Sequence, residues 1–238
     1  MQQRRRAISQ SGKRKRASKA RRILGENGLS IVLFSCFLAF LIGQAITGHR
    51  QYNQDLKEHG EPSIIFTEYI RSDHFLEATA ENWESEFLQM FAYVLFTVFL
   101  YQKGSSESKK LSEQNPVDKE PNRSIKYVPW PVRKGGIVLK LYENSLTLAF
   151  LTLFLISFSL HAIAGAGLYN KEQAQHGNQL ISVLGYLGTS RFWFEAFQNW
   201  QSEFLAIGSM VLLSIFLRQK GSPESKPVDS PHSQTGND

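Results

Sequence analysis

The sequence predicts an all-α membrane protein with four transmembrane helices, arranged as two tandem, parallel-oriented helical hairpin repeats. Three observations predict it: four apolar blocks separated by polar stretches, a repeat that carries the first pair of blocks onto the second, and an uneven distribution of lysine and arginine. Averages over the 238 residues conceal all three. With 42% hydrophobic and 20% charged residues the chain has nearly the mean composition of a soluble domain, because charged and apolar residues alternate in blocks.

Residues 1–24 form a basic arm, with ten lysines and arginines between Arg4 and Arg22. The first hairpin repeat, 25–110, opens with the apolar block Leu29–Ile46, close to the roughly 20 residues that cross a bilayer as a helix. A cleaved signal peptide is the rival reading for the arm and this block. It is disfavoured because the run is long for such a segment and its repeat partner lies in mid-chain. The second block, Phe87–Leu100, is too short as written, at about 14 residues or 21 Å. Residues 111–139, rich in Ser, Lys, Glu, Pro and Asn, read as a disordered cytoplasmic linker. The second hairpin repeat, 140–226, carries the blocks Leu146–Ala164 and Phe204–Leu217, and 227–238 reads as a disordered tail.

A shift of 117 positions, without a gap, superimposes Glu26-Asn27 on Glu143-Asn144, Tyr52-Asn53 on Tyr169-Asn170 and His59-Gly60 on His176-Gly177. The same shift superimposes Asn82-Trp83 on Asn199-Trp200 and Ser85-Glu86-Phe87-Leu88 on Ser202-Glu203-Phe204-Leu205. Identity holds at about 32 of roughly 84 positions, which is the signature of a duplicated unit. Of 27 basic residues only Arg50, Lys57, Arg71, Lys171 and Arg191 fall in the two segments inside the hairpins. The positive-inside rule therefore places both termini and the linker in the cytoplasm and both inner segments outside.

Along Tyr169-Asn170, His176-Gly177, Phe192-Trp193-Phe194-Glu195, Asn199-Trp200-Gln201-Ser202-Glu203-Phe204-Leu205 and Arg218-Gln219-Lys220-Gly221-Ser222, the chain resembles a bacterial family of duplicated membrane proteins classed only as a domain of unknown function. The likeness spans nearly everything from Leu24 to Lys226. It implies a bacterial cytoplasmic (inner) membrane, multi-pass, and no particular activity. In the first copy Leu76-Glu77-Ala78-Thr79 replaces the aromatic run Trp193-Phe194-Glu195-Ala196.

Counting about 20 residues back from Leu100 and Leu217 starts the second and fourth helices at Glu81 and Gln198. Glu86 and Glu203 then lie roughly 7 to 8 Å below the outer edge, the depth also reached by Gln44 and His161 on the helices running the other way. These four are the intramembrane polar candidates, paired as Gln44 with Glu86 and His161 with Glu203, since an ionisable group at that depth needs a partner or a cavity. The favoured commonplace reading leaves both carboxylates at the interface, with Trp83 and Trp200 as ordinary interface anchors. In the outer segments Tyr52, Asn53 and His59 recur as Tyr169, Asn170 and His176. The two histidines could contribute to a metal site, but turn chemistry, with Gly60 and Gly177 at positive φ, is favoured. Helix contacts are expected at the small residues Ala39, Gly43 and Thr47, and at Ala206 or Ser209.

A single cysteine, Cys36, excludes a disulfide-built scaffold and CxxC motifs, and no phosphate loop, nucleophile elbow or HExxH is present, so no cofactor and no catalytic residue is assigned. The basic arm lacks interleaved aromatics and precedes a membrane block. The lipid bilayer and its anionic headgroups are thus its expected partners, not nucleic acid; self-association into a homo-oligomer is left open. The chain reads as an integral membrane protein serving as a structural or regulatory membrane module. A proton- or cation-coupled carrier using the mid-depth polar residues is second, and an enzyme third.

Overall fold

Asparagine interrupts both long apolar helices where they begin. The computed structural model describes residues 2–236 apart from 112–114 and 126, with side chains from Arg21 onward; the basic arm's earlier side chains lie outside the described residues. All regular structure among the described residues is helical. The chain forms two units, residues 1–71 and 72–238.

The first unit holds α1 (Gln2–Glu58) and α2 (Phe66–Tyr69). Within α1 the backbone leaves helical geometry at Asn27 (φ −130°, ψ 16°), whose side-chain amide donates to the Ile23 carbonyl at 3.2 Å. A short amide that bonds its own backbone competes with the helix ladder, which locates the kink two residues before the apolar block. Beyond Glu58 the chain turns through Gly60 (φ 74°) and comes back along the helix end. There Asn53 holds it: the Ile64 amide donates to Asn53 Oδ1 at 2.8 Å and Asn53 Nδ2 donates to the Ile64 carbonyl at 3.0 Å. Tyr69 is buried against Gly48, where any Cβ would collide with the phenol.

The second unit contains α3 (Asp73–Phe99), α4 (Trp130–Lys134), α5 (Gly136–Glu143), α6 (Ser145–Gln175), α7 (Val183–Leu187) and α8 (Ser190–Phe216). Local features of the first unit recur in it 117 positions later. Asn144 separates α5 from α6 and donates to the Lys140 carbonyl at 2.9 Å. Gly177 (φ 70°) follows α6, and Tyr186 is buried against Gly165. Asn170 clips Ile181 through the same two bonds, 2.8 and 2.9 Å. Asn170→Ala removes both bonds and strands the Ile181 backbone groups. It should cost about 1–3 kcal/mol, read as an earlier unfolding transition of the detergent-solubilised protein.

The helices α3 and α8 begin earlier than the apolar blocks require. Ser72 and Thr189 accept from the amides of Phe75 and Phe192, both at 3.3 Å, so each helix starts at its hydroxyl cap, at Asp73 and Ser190 and not at Glu81 and Gln198. Each has 27 residues, roughly 40 Å of helix.

Helix α3 lies along α6 and also packs against α8. Its contact face is small and polar: Ala80, Glu84, Ser85, Gln89 and Ala92 are buried, as are Ser157, His161, Ala162 and Ala166 on α6. Large apolar side chains point the other way, among them Leu155, Ile156 and Leu160 on α6 and Leu205, Leu212 and Phe216 on α8. Of the small residues expected at helix contacts, Ala39, Thr47 and Ala206 are exposed, while Gly43 and Ser209 are half-buried. Four-residue spacing marks a helical stripe but not the stripe that meets a neighbour.

Among the described residues, the segments that follow Gly104 and Gly221 share a network. Lys226, 1% exposed, donates its ammonium to the carbonyls of Gly104, Pro231, His232 and Gln234, and the hydroxyls of Ser105 and Ser214 are 2.8 Å apart. Carbonyls of an otherwise irregular chain are held here by one cation.

Candidate functional site

Three glutamates on α3, Glu77, Glu81 and Glu84, are spaced four and three residues apart and so share one helix face. That face meets His161 of α6, which is fully buried. His161 Nδ1 is 2.8 Å from Glu84 Oε2, and Glu84, also fully buried, accepts from Trp200 Nε1 of α8 at 3.0 Å on its other oxygen. One carboxylate thus ties together three helices. With Glu84 accepting from Nδ1, Nε2 is the ring nitrogen that faces away from it.

Nε2 faces a second group of acids. It has no hydrogen-bond partner and lies 3.6 Å from Glu195 Oε2, beyond hydrogen-bonding range. Glu77, 8% exposed, has an equally unpartnered Oε1. One ligating atom from each of Glu77, His161 and Glu195 falls within 4.8 Å of the others.

Glu195 is positioned by its neighbours. Its Oε2 accepts from the Tyr186 hydroxyl at 2.8 Å and its Oε1 from Arg191 Nε at 2.9 Å, while Arg191 also pairs with Glu172. Burial and the adjoining Glu195 carboxylate raise the Tyr186 phenol above its ordinary pKa, so it stays a donor. Gly165 makes room for that ring, and Phe192, fully buried, covers His161 with centroids 4.7 Å apart.

The structure redraws the polar pair expected from depth. His161 bonds Glu84 and not Glu203; Glu203 is half-buried, and its backbone carbonyl accepts from Gln89 Nε2 at 2.8 Å. Position along a helix sets height but not direction, and the neighbour of α6 along most of its length is α3, from the other sequence copy. Glu86 is exposed on α3 and Gln44 half-buried on α1, in separate units. Trp200 is a hydrogen-bond donor inside the cluster, and Trp83 is half-buried on α3. Asn53 and Asn170 are the clips already described, and the rings of Tyr52 and Tyr169 pack at a tilt against Tyr69 and Tyr186, with centroids 5.8 and 5.7 Å apart. His59 Nδ1 contacts the Asp55 carbonyl at 2.9 Å and His176 is exposed at the end of α6, so neither belongs to the acid cluster. The depth argument missed Glu77, Glu84, Tyr186, Arg191 and Glu195; the acid stripe on α3 is the signal that points to two of them.

Fold and site together define an all-helical protein with a buried charged cluster and two helices, α1 and α6, long and apolar enough to cross a membrane. The chain belongs to the family described as a domain of unknown function, DUF6766, whose model matches residues 20–237. No curated protein and no solved structure matches it.

Proposed function

We propose that the protein is a multi-pass protein of the bacterial cytoplasmic membrane, built from two copies of one hairpin, in which α1, α3, α6 and α8 cross the bilayer with both termini and the linker in the cytoplasm. Its role is that of a structural or regulatory membrane module, centred on the cluster joining α3, α6 and α8. One observation carries this reading: in the second unit the helix contacts are small and polar while the large apolar side chains face outward. In water that distribution is unfavourable over so wide a surface, whereas in lipid it is the expected one, because close backbone approach and satisfied polar groups drive helix association there. The recurrence of the asparagine break, the asparagine clip and the tyrosine-on-glycine contact supports the duplication.

Topology is tested with single cysteines in a Cys36→Ser background, at positions exposed in the structure. In intact spheroplasts a membrane-impermeant thiol reagent should label Gln54→Cys and Gln179→Cys and should spare Ser124→Cys and Asp229→Cys until the membrane is opened. Labelling of Ser124→Cys from outside would overturn the arrangement.

A further inference from the structure

We propose that Glu77, His161 and Glu195 form a binding site for one divalent first-row transition-metal ion of the zinc type. The proposal rests on reading the cluster as the functional centre of the module and names its ligand; it does not depend on the membrane topology.

Four observations carry it. The three ligating atoms already lie within 4.8 Å of one another, and ligands about 2.1 Å from a zinc ion are separated by roughly 3.3 Å, so side-chain rotations closing the gap by at most about 1.5 Å suffice. Two of those residues hold buried polar atoms without a hydrogen-bond partner, His161 Nε2 and Glu77 Oε1, on side chains that are 0% and 8% exposed. Buried polar atoms are costly unless something satisfies them, and both are turned into the same space. Glu84 then acts as the outer carboxylate of a carboxylate–histidine–metal arrangement: by accepting from Nδ1 at 2.8 Å it orients the ring and presents the Nε2 lone pair to the ion. Trp200 and Tyr186 in turn orient Glu84 and Glu195.

Charge points the same way. Glu77, Glu84 and Glu195 converge on a single imidazole, and Arg191, the guanidinium bonded to Glu195, is shared with Glu172. A dication would offset that excess. The donor set, one imidazole and two carboxylates without thiolate, suits zinc, manganese or ferrous iron better than magnesium or calcium, which prefer all-oxygen shells, and better than cuprous copper, which seeks sulfur.

The test uses the untagged full-length protein in mild detergent, stripped with EDTA, freed of chelator and dialysed against Zn2+. The wild type should take up one Zn2+ per chain saturably, and its unfolding midpoint should rise by roughly 5–10 °C at a hundredfold excess over Kd, with Mg2+ producing no such rise. Glu77→Gln and Glu195→Gln should each weaken zinc binding at least tenfold while eluting as folded protein. Glu84→Gln should weaken it by about 10- to 100-fold through ring orientation, and Glu203→Gln should leave it unchanged. Absence of a saturable single equivalent in the wild type overturns the proposal, as does a folded Glu77→Gln or Glu195→Gln that binds zinc like wild type; the unpartnered atoms would then be satisfied by a proton on Glu77. Because these readouts are taken in micelles, their failure leaves the cysteine-labelling result standing, and the reverse holds equally.

Discussion

Glu84→Ala should be the most damaging single substitution in the second unit, lowering stability by about 3–5 kcal/mol in a reversible denaturant titration of the solubilised protein. The fully buried carboxylate is the only hydrogen-bond acceptor described for His161 Nδ1 and for Trp200 Nε1, so its removal strands two donors and opens a void between three helices. Glu84→Gln should cost less than half as much. It preserves volume, its amide oxygen can still accept from Trp200, and its amide group can donate to Nδ1 if the ring takes its other tautomer. If both substitutions were tolerated like surface changes, Glu84 would not be the link among α3, α6 and α8.

Gly165→Leu should come second. A Cβ at Gly165 would lie 2.6 to 2.8 Å from the ring edge and hydroxyl of Tyr186, which is fully buried and cannot swing aside without giving up its bond to Glu195. Even Gly165→Ala should cost about 1–3 kcal/mol by overpacking, and Leu more. Combined with Tyr186→Leu, the Gly165→Ala loss should be markedly smaller than in the native background, because the clash is then gone. Additive losses, measured by the same denaturant titration, would mean that the two residues do not share the space.

The helices and their boundaries are largely written in local sequence. Apolar run length marks the cores of α1 and α6, Asn27 and Asn144 mark where they break, and Gly60 and Gly177 mark where they end. The starts of α3 and α8 are legible only in Ser72 and Thr189, hydroxyl caps that stand well outside the apolar blocks. His161 is visible as the one strongly polar residue of its block, but its partner is hidden. Glu84 stands where the other copy has Gln201, and Glu195 where it has Ala78, so the residues common to both copies, Glu86 and Glu203, draw the eye away from the cluster. Azimuth was the missing quantity: a helix position gives depth directly, but the face it presents depends on which helix packs beside it, and α6 runs along α3. The acids at 77, 81 and 84 did carry that information as a stripe on one face. The Tyr186–Gly165 contact has no comparable signal in a single sequence.

The central claim is that His161 and Glu84 interact directly in the interior, and a double-mutant cycle measures this most directly. The cycle compares wild type, His161→Ala, Glu84→Ala and the double variant by denaturant titration in one detergent, with a parallel cycle pairing His161→Ala with Glu203→Ala. The His161–Glu84 cycle should return an interaction energy of about 1–3 kcal/mol, and the His161–Glu203 cycle should be additive to within about 0.5 kcal/mol. Additivity in the first cycle with coupling in the second would contradict the cluster as described and restore Glu203 as the partner of His161.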